Sequence, residues 1–117
     1  MRSLLLLSLI ILAVVLDGET YSLSFGDQFT TDIILFNKTV VRRPIEYKSW
    51  NVNVDFPCGG SINNYTITVI YVYDNFLNGS GAEPSLLRGG VGASEVTINL
   101  SGEVGHGINS TIEIWGF

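Results

Sequence analysis

Cys58 is the only cysteine and His106 the only histidine in this 117-residue chain. Held together, a thiol and an imidazole form the activated nucleophile of a covalent hydrolase. The residues around them predict otherwise. Cys58 lies in Pro57-Cys58-Gly59-Gly60, which reads as a turn without the surrounding motif of a thiol protease. His106 stands between Gly105 and Gly107. A metal site needs three or four ligands, and the chain has no HxH, HExxH or CxxC spacing. The run RGGVG, Arg88 to Gly92, lacks the GK[ST] ending of a phosphate loop, and no helical pattern follows it to supply an anion-binding dipole. The expectation is therefore no catalytic centre, no metal and no cofactor, with the glycines bending the chain between strands. A small extracellular hydrolase is set aside for want of a catalytic constellation. A lone cysteine has no internal partner, so Cys58 is either a free thiol, buried or exposed, or a bridge to a second chain; its place after Pro57 favours partial exposure and a minor disulfide-linked dimer.

Five Asn-x-Ser/Thr acceptors are present, at Asn37, Asn64, Asn78, Asn99 and Asn109, among only nine asparagines. A sequon that carries a glycan must face solvent in the folded chain. Strand periodicity tests that requirement independently. Residues 50 to 56 alternate apolar and polar at every step, as a half-buried strand does. So do residues 94 to 100, with Val96, Ile98 and Leu100 facing in and Glu95, Thr97 and Asn99 facing out. In the last stretch Ile108, Ile112 and Ile114 share one face, with Asn109, Thr111 and Glu113 on the other. Asn99 and Asn109 thus fall on polar faces.

Residues 65 to 73 are apolar on both faces beyond Thr68, the pattern of a central strand covered on both sides. Ile33 to Phe36 and Thr39 to Tyr47 are weaker strand candidates, the second assigned to an edge because Pro44 cannot donate a ladder hydrogen bond. Ser85 to Arg88 is expected to form a short strand inside the turn-rich segment 74 to 93, whose tip at 78 to 81 should be exposed. Ser101 to Gly107 is expected to be a hairpin connection, with positive φ at Gly105 and Gly107 and His106 as a turn residue. The chain reads as all-β, a single antiparallel sandwich of about seven short strands.

At the N-terminus, Arg2 precedes an apolar run from Leu4 to Leu16. A membrane-spanning helix needs roughly 20 residues, so this run has the length of a signal-peptide core rather than an anchor. The expected organisation is a signal peptide at 1–18 and one secreted domain at 19–117, without stable membrane insertion. The net charge of −5 opposes direct nucleic-acid binding, which favours basic patches.

The C-terminal half resembles an insect family of secreted proteins related to the type-2 multiprotein bridging factor, described as probable salivary secreted peptides. The matching residues are Gly89, Gly90 and Gly92, then Gly105-His106-Gly107-Ile108-Asn109, then Ile112-Glu113-Ile114-Trp115-Gly116. Asp74 with Gly79 and Gly81 also fits, and the likeness extends over Gly26 to Gly116. The chain departs from the pattern at Ser110 and at Trp115, where a bulkier apolar residue and a tyrosine are expected. The resemblance implies a small secreted β protein without assigned catalytic residues. The leading expectation is a secreted, glycosylated, non-enzymatic protein that binds an extracellular protein or small ligand. It also implies an alternative, a coactivator bridging a DNA-bound activator and the general transcription machinery through protein contacts.

Overall fold

The computed structural model describes residues 23–76 and 81–117. The expected signal peptide, Asn78 and most of its loop tip lie outside them. Seven strands follow in order: β1 (Leu23–Gly26), β2 (Ile33–Arg42), β3 (Asn51–Phe56), β4 (Ile67–Asp74), β5 (Glu83–Gly89), β6 (Val96–Ser101) and β7 (Ile108–Gly116). Among the described residues there is no helix. Every pairing is antiparallel, in one sheet of order β1-β4-β7-β2 and another of order β3-β6-β5.

Alternation in the sequence places the core between these sheets. In β7, Ile108, Ser110, Ile112, Ile114 and Gly116 are buried, and the residues between them are half-buried. In β6, Val96, Ile98 and Leu100 are buried. They join Ile70 and Val72 of β4 and Val54 and Phe56 of β3 in one cluster. Each branched aliphatic side chain buried there contributes roughly 1.5–3 kcal/mol by leaving water, and β-branched residues suit the pleated surface that presents them.

Several expectations are corrected. The two weak candidates at 33 to 36 and 39 to 47 are one strand, β2, with a register shift between Ile34 and Phe36. It is an edge strand as expected, but it ends at Arg42 and Pro44 lies beyond it. β1, with only four residues, carried too short a pattern to be read. The expected strand at 85 to 88 is present as β5. The strand at 65 to 73 is interior, but only Val69 is fully covered on its outward face; Tyr71 is half-buried and Tyr73 exposed.

The segment 101 to 107 is not a hairpin. β6 pairs with β3 and β5, whereas β7 lies between β4 and β2, so the glycine-rich link crosses from one sheet to the other. Local sequence allows either outcome, and the non-local pairings decide. The crossing is held by Gly102 N–H donating to the Trp50 carbonyl at 2.9 Å and Gly105 N–H to that of Lys48 at 2.7 Å. Gly105 has φ +81°, as expected. Gly107 does not share it: a β-carbon there would run into the Arg42 carbonyl oxygen and lie 2.9 Å from Cδ of Pro44. Close approach to the end of β2 requires that glycine.

Candidate functional site

The outward face of the four-stranded sheet carries a concentration of aromatic and polar groups. Cross-strand register sets its rows. Tyr71 lies opposite Glu113, and Glu113 opposite Asn37. In the next row Val69 lies opposite Trp115, and Trp115 opposite Ile34; on the other side Tyr73, Thr111 and Thr39 align. The Tyr71 and Tyr73 rings stack at 6.0 Å between centroids and 25° between planes. The Tyr71 hydroxyl donates to Oε1 of Gln28 at 3.1 Å, and the Trp115 indole N–H donates to Oε1 of Glu113 at 3.3 Å. Burial of the phenols, reinforced by the Glu113 carboxylate, raises the pKa of both tyrosines, because a phenolate there would be poorly hydrated and repelled. The face therefore offers neutral π surfaces beside one carboxylate.

The described sequons fall on both sheets and in the loop before β4. Asn37 and Asn64 are exposed, and Asn99 and Asn109 are half-buried on outward positions. Thr39 and Thr111, the hydroxyl residues of the sequons at Asn37 and Asn109, hydrogen-bond to each other at 2.9 Å. Asn75 donates to Oδ1 of Asn109 at 3.1 Å and to Oγ1 of Thr111 at 3.0 Å. On the other sheet, the Asn99 amide donates to Asn51 and, at 2.8 Å, to Asn53.

Cys58 and His106 are not brought together. Cys58 follows the end of β3 where Phe56 pairs with Val96; His106 follows the opposite end of that ladder, where Asn51 pairs with Ser101. Roughly 15–20 Å of strand separates the two ends. Cys58 is exposed, its thiol 3.3 Å from the Asp55 carbonyl oxygen. The cleft beside it is lined by Asp55, Ser61, Arg88, Glu95 and Thr97, among others. An Arg88–Glu95 ion pair of 3.6 Å and a Thr97 hydroxyl donating to Asp55 at 2.7 Å engage those groups with one another. His106 Nδ1 lies 4.0 Å from the Glu103 carboxylate. Among the described residues, no three His, Cys, Asp or Glu side chains are grouped to hold a metal.

The glycine-rich turn between β5 and β6 has positive φ at Gly89, Gly90 and Gly92. It docks onto the start of β4: Gly92 N–H donates to the Ile67 carbonyl and Ile67 N–H to that of Ala93, both at 2.8 Å. This links the two sheets at one end, as the Gly105–Gly107 crossing links them at the other. Sequence reasoning placed these turns but missed the aromatic face. The available signal was the alternation Val69, Tyr71, Tyr73, hidden by reading both sides of β4 as covered.

Fold and surface together define a small two-sheet β-sandwich whose two glycine turns fasten sheet to sheet. No solved structure matches the chain. The family described as transcription activator MBF2 matches residues 25–116. The chain belongs to that family. It is also 32% identical over 99 residues, 84% of this chain and 71% of the relative, to a bumblebee (Bombus ignitus) protein named "Probable salivary secreted peptide".

Proposed function

We propose that this chain is a secreted, N-glycosylated, non-enzymatic binding protein of an extracellular fluid of the salivary or haemolymph type. Its target is an extracellular protein or a small ligand. The observation that carries this reading is the placement of the acceptors: each described sequon asparagine points out of the core, as a folded glycoprotein requires. An N-terminal apolar run of signal-peptide length and the name of the bumblebee relative support the same compartment. The separation of Cys58 from His106 supports a binding role over a thiol-dependent one. The net charge of −5 weighs against direct contact with nucleic acid.

The description of the matching family favours a second reading, an intracellular coactivator acting through protein contacts. Expression in insect cells separates the two. The expected result is protein in the medium, beginning at Glu19, whose mass falls on enzymatic deglycosylation. Protein confined to the lysate, unglycosylated and retaining Arg2, would sink the secreted reading and support the coactivator.

A further inference from the structure

Tyr71, Tyr73 and Trp115 leave an aromatic surface partly open to solvent, with Tyr73 at 39% and the adjoining Ile34 at 44% exposure. Contiguous surfaces of this kind mark contact sites. Asn37 stands in the same cross-strand row as Glu113 and Tyr71, two strand spacings from Tyr71, or about 10 Å. Its amide is exposed and makes no hydrogen bond among the described residues, so Nδ2 is open to substitution. The other described acceptors are placed differently. Asn64 lies in the loop before β4, Asn109 sits at the Asn75 end of the face with its carbonyl engaged, and Asn99 uses its amide nitrogen on the opposite sheet.

We propose that the N-glycan on Asn37 folds back over the Tyr71–Tyr73–Trp115 face and covers it. The inference rests on the secreted, glycosylated reading above. In attachment, C1 of the first N-acetylglucosamine bonds to Nδ2 of Asn37, one amide proton is lost, and the lipid pyrophosphate of the secretory pathway's oligosaccharide donor departs. Pyranose rings present C–H faces that pack on aromatic π surfaces, and their hydroxyls find acceptors in Glu113 and Gln28. A single contact of this type is weak. Tethering makes it intramolecular, with an effective concentration in the millimolar range, so a weak contact is populated.

Nitration with tetranitromethane, followed by peptide mapping, tests this on protein secreted from insect cells. In Asn37→Gln, nitration of Tyr71 and Tyr73 should rise several-fold, while Tyr47, 84% exposed in the turn after β2 beside the Gly105 crossing, should be unchanged. Thr39→Ser keeps the sequon and should behave as the parent. If Asn37→Gln is not secreted, Thr39→Ala, which destroys only the Asn37 sequon, provides the same comparison. Equal nitration with and without the Asn37 glycan would overturn the proposal, as would a secreted protein glycosylated elsewhere with Asn37 bare. Protection that persists without the glycan but is lost on dilution would assign the face to a second copy of the chain and also overturn it. A chain carrying no glycan at all would overturn the secreted reading together with this one.

Discussion

Thr68 donates its hydroxyl proton to Oδ2 of Asp32 across 2.5 Å, joining buried side chains from the β1–β2 connection and the bulged start of β4. The same carboxylate oxygen accepts the Phe29 N–H at 2.8 Å, and Asp32 N–H returns to the Phe29 carbonyl at 3.0 Å. One side chain thus closes a turn and fastens it to the central strand.

Asp32→Ala should therefore cost about 2–3 kcal/mol, since two hydrogen bonds to a charged acceptor vanish and a buried hydroxyl loses its nearest partner. Thr68→Val should cost about 1–2 kcal/mol, and Asp32→Asn less than Asp32→Ala because an acceptor oxygen remains. Denaturant titration of the three variants checks the order. An Asp32→Ala protein as stable as the parent would show that the pin contributes nothing.

The Gly105-His106-Gly107 crossing yields a ranking. Gly107→Ala should be the most damaging, because its β-carbon meets backbone and the Pro44 ring, neither of which can move aside cheaply. Gly105→Ala has open space around it but retains φ +81°, a cost of about 1 kcal/mol. His106→Ala removes a half-exposed ring and should change stability by no more than about 0.5 kcal/mol. Thermal unfolding of all three decides it; His106→Ala melting lowest would contradict the assignment of His106 as a turn residue.

The raised pKa values of Tyr71 and Tyr73 imply a loss of stability at alkaline pH. The fold holds each phenolic proton more tightly than the unfolded chain does. The resulting stabilisation is complete below the unfolded value of about 10 and is lost as pH rises through the higher folded values. The double variant Tyr71→Phe, Tyr73→Phe should flatten that alkaline decline. Unfolding curves at a series of pH values above neutrality provide the measurement, and an unchanged slope in the double variant would refute the coupling.

Cys58, exposed in the turn after β3, should react with a thiol reagent without denaturation. A minor disulfide-linked dimer is expected on non-reducing electrophoresis of secreted protein, absent in Cys58→Ser. The same substitution should leave the melting temperature within a degree or two, because surface changes away from packed features cost little. Protein that is entirely monomeric, with a thiol reactive only after unfolding, would rule the dimer out.

The sequence by itself determined the strand class, the buried faces of β3, β6 and β7, and the outward direction of Asn99 and Asn109. These follow from a two-residue period that each strand carries locally. It also placed both glycine turns, since positive φ at Gly89, Gly90, Gly92 and Gly105 is a local demand that glycine meets. Only the tertiary structure decided which strands pair. β6 and β7 read as a hairpin because nothing within residues 94 to 115 says that their partners come from opposite sheets. The role of Gly107 was hidden for the same reason: the obstacle is Arg42 and Pro44, more than sixty residues earlier in the chain. The aromatic face likewise exists only through register, which sets Tyr71 of β4 and Asn37 of β2 on either side of Glu113. Periodicity tells a side chain which way to point, and only pairing between distant segments tells it what it will stand beside.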